Sequence, residues 1–399
     1  MASFSRCQHV VVGDSLSAGF QNGSLHQDQQ PNGFASLIAR QACTELVPPL
    51  IGAPGIPNRL IITDDDPLVI EPEDGMSPGR VDFDQAANLA VPGHTVEDSL
   101  TARPGFPIDD LTDLVLGLPG LLLGISRSQV EWAEASPFTA GTPTTILVWL
   151  GPNDTLVAAT EADASLLTPG DAFKDAYEEM MDRLAATGAE IVVANVPDAT
   201  VIPFLTPAED LAAAFGIPTG LPRPILGIGP GDFVTPRAFP VIEAIVNMEA
   251  SPPLPADVVL DAGEVARIRA ATKAFNKFIA KKAEEHGAAL FDVHGFLNRI
   301  DAEGTVVDDT APTTDFLGGL FSLDGVHPTN IGYALLANEF IEVMNAHFGA
   351  AIPPLDDDEL AAILASDPLV FAAPAPVTTA VESMPAATAD AIRAVLLGR

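Results

Sequence analysis

Five short apolar runs along the chain have the β-branched character of strands, and helix-period stretches separate several of them. The first, His9-Val-Val-Val12, stops at Gly13. Residues 84–90 read as a second, short strand closed by Pro92-Gly93, and Thr145-Ile-Leu-Val-Trp-Leu150 as a strong buried one. Residues 190–195 and 289–292 supply the last two. Helical spacing of Phe34, Leu37 and Ile38 predicts a helix over 32–42. The same period predicts helices over 171–187, 261–286 and 329–348, with helical pieces in 109–138 broken at Gly117-Leu-Pro-Gly120. Residues 44–80, rich in Pro, Gly and Asp, read as a long loop, and 197–257 as an irregular insertion. Strand, crossover helix and strand in succession predict a parallel sheet covered on both faces. No solenoid-type repeat is present.

Composition narrows the classes. A chain of 399 residues, 47% of them hydrophobic, can fill a real core, which excludes disorder throughout. Nineteen Lys+Arg against 54 Asp+Glu leave a formal net charge of −35. Such a surface repels phosphate backbones, so neither nucleic acid nor an anionic membrane is an expected partner. No apolar run is long enough for a transmembrane helix. The N-terminus lacks a basic start followed by a long apolar stretch, so no signal peptide is expected within this chain. Two cysteines, Cys7 and Cys43, are too few for a disulfide scaffold or a Cys-rich zinc site.

Four short blocks carry candidate chemistry. Gly13-Asp14-Ser15 follows the first strand, at the sheet edge where open α/β folds place ligands. Gly93 can bring a backbone N–H close to a developing oxyanion. Asn153, in Gly151-Pro-Asn-Asp154, can offer an amide N–H to the same atom. Asp324, in Asp324-Gly-Val-His327, can orient an imidazole whose other nitrogen accepts the serine proton. Each block alone has an ordinary explanation: an Asx turn, a Pro-Gly turn, a β-turn, a capped loop. Together they supply nucleophile, base, orienter and oxyanion donors.

The blocks Gly-Asp-Ser-Leu-Ser, Ala-Val-Pro-Gly, Gly-Pro-Asn-Asp and Asp-Gly-Val-His-Pro resemble those of the SGNH hydrolases, the GDSL family of esterases and lipases, and stand in family order from Gly13 to Pro328. The resemblance implies a flavodoxin-like three-layer α/β/α fold with a central, mostly parallel five-stranded sheet. It implies Ser15 as nucleophile, His327 as general base with Asp324 as its orienter, and an oxyanion hole of Ser15, Gly93 and Asn153. The reaction implied is hydrolysis of a small-molecule or lipid ester through an acyl-enzyme, with no cofactor and no metal. Removal of acetyl groups from a polysaccharide, and a non-catalytic surface-binding role, are the alternatives. Catalysis by a neutral histidine predicts a neutral to alkaline optimum. The catalytic domain is expected over 1–349, with an Ala/Pro-rich extension over 350–399 packed on it and carrying helical pieces near 358–364 and 388–397.

Gly75-Met-Ser-Pro-Gly79 matches the nucleophile elbow of ordinary α/β-hydrolases, but Pro78 has no N–H to give an oxyanion. Asp64-Asp-Asp66 and Asp356-Asp-Asp358 read as solvated acidic turns rather than calcium sites. Phe204, Leu211, Phe215, Leu221 and Phe239 equip the 197–257 insertion either as a lid or acyl-binding wall, or with a small core of its own. Cys7 at the start of the first strand and Cys43 at the end of the helix after it fall on the same, non-catalytic side. They either bridge or stay as two buried thiols. A bridge favours an extracellular or periplasmic location, as does the family resemblance. The glycosylation sequon formed by Asn153-Asp-Thr155 points to a bacterial source.

Overall fold

The computed structural model describes residues 8–44, 46–65, 68–135, 144–214, 225–367, 392–393 and 395–396. β1 (Gln8–Gly13) runs into the one-turn α1 (Ser15–Ala18) and then α2 (Phe34–Gln41). A hairpin of β2 (Leu60–Asp65) and β3 (Leu68–Pro72) follows. Short helices α3 (Val96–Thr101), α4 (Leu111–Leu116) and α5 (Gln129–Ala133) lead to β4 (Thr144–Trp149). α6 (Asn153–Thr160) and α7 (Gly170–Ala186) precede β5 (Glu190–Ala194). Next come β6 (Thr206–Pro207), α8 (Ala208–Ala214), β7 (Phe233–Val234), α9 (Phe239–Val246) and β8 (Val259–Leu260). Then follow α10 (Ala262–His286), β9 (Ala289–Phe291), α11 (Val293–Glu303), α12 (Asn330–Phe348) and α13 (Asp357–Ser366).

The central sheet is parallel, in the order β1-β4-β5-β9. Its strands are apolar on both faces because helices cover both, and Val10, Val11 and Val12 are fully buried. α2 packs with α12, which also carries α13, while α7 packs with α3 and α10. An aromatic cluster seals each layer. Phe340 of α12 stacks on Phe34 of α2, with ring centroids 4.6 Å apart, and meets Phe291 of β9 edge-on. Phe275 of α10 stacks on Phe173 of α7 at 3.8 Å. Such pairs contribute roughly 0.5–1.5 kcal/mol each beyond the area they bury.

The expected fifth strand is irregular. Residues 87–91 run beside β1, with Val11 N–H donating to Ala87 O, Leu89 N–H to Val11 O and Val91 N–H to Gly13 O. Only the Val11–Asn88 bridge is regular, so the ladder proper has four strands. Asn88 explains the break, because its side chain takes local backbone: Oδ1 accepts from Ala90 N–H and Nδ2 donates to the Ser17 carbonyl. Counting this segment, the strand order is 2-1-3-4-5, the flavodoxin-like arrangement whose ligands sit at the switch point between the first and third strands.

The long helices agree with the sequence expectation to within a residue, but the loop assigned to 44–80 contains the β2–β3 hairpin. Leu60 and Ile70 from it join Leu211, Leu226, Val234, Ile242, Leu317 and Leu323 in a second hydrophobic core. The apolar residues of the insertion thus divide: Leu211 and Phe239 fill this second core, Phe204 enters the main one, and Phe215 and Leu221 lie outside the described residues. Pro and Asp density around two short β-branched runs concealed the hairpin. Cys43 is exposed just after α2, while Cys7 lies outside the described residues, and the proposed bridge with it. Asp356 caps α13 by accepting from Glu359 N–H, an exposed acidic helix start. Of the helical piece near 388–397, Ile392, Arg393, Val395 and Leu396 are described. Ile392 is buried, and Arg393 lies 3.2 Å from Glu161 at the end of α6.

Candidate active site

The end of β1 turns sharply into α1. Gly13 is required there, since a Cβ would overlap the Ser17 side chain. Asp14 caps α1 by accepting from Leu16 N–H at 3.0 Å, which places Ser15 at the first helical position. The loop after α1 then grips the segment before α12. Asn22 N–H donates to Ser322 Oγ, Leu323 N–H to Asn22 Oδ1, and Gly23 N–H to Asp324 Oδ2. Residues some 300 positions apart meet in this way, and His327 is brought over Ser15.

His327 Nε2 lies 2.8 Å from Ser15 Oγ, and its Nδ1 lies 2.9 Å from Asp324 Oδ2. Phe20 packs against the imidazole with centroids 4.6 Å apart and limits its tilt. Asp324 is fully buried and accepts from four N–H groups. Burial works to raise its pKa, but His327 and the backbone donors outweigh it and hold the carboxyl below its ordinary value. The geometry is that of a hydroxyl, an imidazole acceptor and a carboxylate orienter in line.

Asn153 begins α6 at the carboxyl end of β4, and its Nδ2 donates to the His94 carbonyl at 2.9 Å. An amide carries two protons, so a second donor remains on Nδ2. Gly93 stands just before His94 with φ +86°. The next residue, Asp154, accepts from Val96 N–H and ties α6 to the start of α3. All the sequence-predicted residues except the cysteines therefore converge at one end of the sheet. Sequence reasoning missed Asp154, His94 and Gln129, whose importance comes from contacts across 35 residues or more. The rejected Ser77 serves structure, donating to the Gly52 carbonyl.

Beside Ser15 opens a narrow, mostly apolar cavity. Its walls are Trp149, Leu156, Ile202, Phe296, Ile300 and Leu336, with Ser15, Asn153 and His327 among the few polar lining groups. Aspartates 109, 110 and 113 form the one acidic cluster among the described residues with metal-ligand spacing. Its carboxylates serve backbone N–H groups: Asp113 accepts from Gly105 and Asp109, and Asp110 caps α4. No helix among the described residues is long and apolar enough to cross a membrane.

Residues 10–340 match the family described as GDSL-like Lipase/Acylhydrolase. The chain belongs to that family. Among solved structures it is similar to an α/β-hydrolase enzyme from the metagenome of Lake Arreo, Spain, at 14% identity over 86% of this chain and 97% of that one, with TM-score 0.39. A putative SGNH hydrolase from Slackia heliotrinireducens aligns at 12% identity over 85% and 100% of the two chains, TM-score 0.35. An extracellular lipase from Streptomyces rimosus aligns at 15% identity over 86% and 99%, TM-score 0.34. No curated protein matches the chain.

Two substitutions test the local physics of this GDSL site. Gly93→Ala should be poorly tolerated, because φ is +86° and the new Cβ would overlap the Val395 carbonyl oxygen. Left-handed backbone costs a non-glycine residue roughly 1–2 kcal/mol before any clash is relieved. The expected result is a lower Tm together with loss of most turnover, and unchanged values for both would refute the contact.

The second concerns Asp14, which is fully buried with Oδ2 unpartnered. Burial, aided by the nearby Asp154 carboxylate, raises its pKa to about 8, whereas the unfolded group ionises near 3.8. Between those values the folded state holds a proton that the unfolded state has lost. Asp14 therefore removes stability as pH rises from about 4 to 8. Asp14→Asn lacks this titration. Its Tm relative to wild type should improve between pH 5 and pH 8, and a pH-independent difference would contradict the assignment.

Proposed function

We propose that this GDSL acylhydrolase is a serine carboxylesterase of the lipase type, acting through an acyl-enzyme on Ser15 with an apolar acyl chain in the adjoining cavity. The observation that carries the reading is the 2.8 Å approach of His327 Nε2 to Ser15 Oγ at the mouth of that apolar space. Ser15 Oγ attacks the ester carbonyl while His327 Nε2 takes its proton, and Asp324 stabilises the imidazolium. The oxyanion sits among the N–H groups of Ser15 and Gly93 and the free amide proton of Asn153. Ser15 suits this because the first N–H groups of a helix lack intrahelical acceptors. His327 then protonates the leaving alcohol, and water, activated by the same imidazole, releases the acid. None of these steps calls for a metal or a cofactor.

An apolar wall favours longer acyl groups over acetyl. Each methylene buried adds ~0.8 kcal/mol, about fourfold in kcat/KM if realised in the transition state. A series of aryl esters should therefore climb in kcat/KM from acetyl to at least hexanoyl. Ile300→Trp, filling part of the cavity, should lower the hexanoyl rate by about tenfold or more and spare acetyl. A steep preference for acetyl, or for acetylated xylan, would replace this substrate reading with the carbohydrate esterase one.

A further inference from the structure

Gln129 opens α5, far from the four motif blocks in sequence, yet it is fully buried between two of them. Its Oε1 accepts from Gly13 N–H at 2.9 Å, and its Nε2 lies 2.9 Å from His94 Nδ1. In a regular parallel ladder Gly13 N–H would donate to the Leu89 carbonyl, the next rung after the Val11–Ala87 and Leu89–Val11 bonds. The glutamine amide takes that rung instead. His94 in turn offers its carbonyl to Asn153 Nδ2 at 2.9 Å, and its Nε2 lies 3.1 Å from Thr112 Oγ1 on α4.

The donors and acceptors in this chain allow one assignment. Gly13 N–H can only donate, so Oε1 must face it. The amide NH₂ then faces His94 Nδ1, which must be the acceptor. His94 is therefore neutral with its proton on Nε2, directed at Thr112 Oγ1. Burial supports this by lowering the imidazole pKa to about 4, against the opposing pull of the Asp98 and Asp110 carboxylates.

We infer that Gln129 is a positioning residue for the oxyanion site: one buried amide fixes the Ser15 turn through Gly13, the Gly93 loop through His94, and Asn153 through the His94 carbonyl. The inference rests on the proposed oxyanion role of Ser15, Gly93 and Asn153. A displacement of about 1 Å in such a site can cost on the order of 10² in rate.

The test combines kinetics with ¹⁵N NMR of His94. In the wild-type protein the ring nitrogens should report the neutral Nε2–H tautomer, an arm that does not depend on activity. Gln129→Leu, similar in size but unable to bond, should lower kcat by about 10–100-fold with KM for a short ester within about threefold. Asn153→Ala should cost roughly 10²–10³ in kcat. Adding Gln129→Leu to it should cost less than Gln129→Leu costs alone, because one of the three donors that Gln129 positions is already gone. Gln129→Glu keeps the acceptor for Gly13 but faces His94 with an oxygen. It should move the proton to Nδ1 and lower kcat to an intermediate value, and it decides the matter if Gln129→Leu does not fold. An unchanged kcat in Gln129→Leu, losses that multiply in the double variant, or an Nδ1 proton in the wild type would overturn the inference. Activity surviving Ser15→Ala would instead remove the reading of the site on which it rests, leaving the His94 tautomer to be judged by NMR alone.

Discussion

Ser15→Ala is expected to lower hydrolysis of a short activated aryl ester by on the order of 10⁴–10⁶, and His327→Ala by a similar factor, because nucleophile and base act as one unit. Ser15 Oγ and His327 Nε2 already stand at hydrogen-bond distance, and both residues are 3% exposed. Without the hydroxyl there is no atom to form the acyl-enzyme. Without the imidazole the hydroxyl proton has no acceptor, since Asp324 is spent on backbone donors and on His327 itself. The double variant should be no more than a few-fold slower than the slower single one. A serine-directed phosphonate should label the wild type at Ser15 and leave Ser15→Ala unlabelled. Equal turnover by wild type and Ser15→Ala would end the proposal, and a folded wild type that resists the phosphonate would favour the surface-binding alternative.

What the sequence shows and hides follows from distance along the chain. The strands and long helices are legible because burial on two faces, or on one helical stripe, leaves a local pattern within ten or so residues. The four motif blocks are legible because each is a short turn at an element's end whose own residues carry the chemistry. Gln129 is not legible: a lone Gln at a helix start looks like any surface residue, and its role arises only when β1 and the Gly93 loop close around it, 116 and 35 residues away. The contact of Gly93 with Val395 is hidden for the same reason. The 44–80 hairpin was lost differently, because its β-branched runs are only a few residues long and the Pro, Gly and Asp around them dominate the local signal. Asn88 shows a third case. The apolar run around it reads as a strand, but one amide side chain competes for the backbone and leaves a single regular bridge.

Asp324→Asn should come next after Ser15→Ala and His327→Ala, at about 10⁴ in kcat, although it alters a single atom. Asp324 Oδ1 accepts from Val326 N–H and His327 N–H, both at 2.8 Å, and Oδ2 accepts from Gly23 N–H at 2.7 Å and His327 Nδ1 at 2.9 Å. An asparagine has one oxygen to offer. If its NH₂ took the Oδ1 place it would oppose two backbone donors at once. If it took the Oδ2 place it would oppose only Gly23 N–H, and could donate to His327 Nδ1. The second orientation therefore wins, and it forces the wrong tautomer: Nδ1 becomes the acceptor and the proton moves to Nε2, where it faces Ser15 Oγ. The base then has no lone pair for the serine proton. Losing charge-assisted bonds in a fully buried position should also lower stability, at roughly 1.5–3 kcal/mol for a bond to a charged group. Circular dichroism separates the two effects, since activity is measured only on the folded fraction. A folded Asp324→Asn protein within tenfold of wild-type kcat would show that His327 does not depend on this carboxylate for its tautomer.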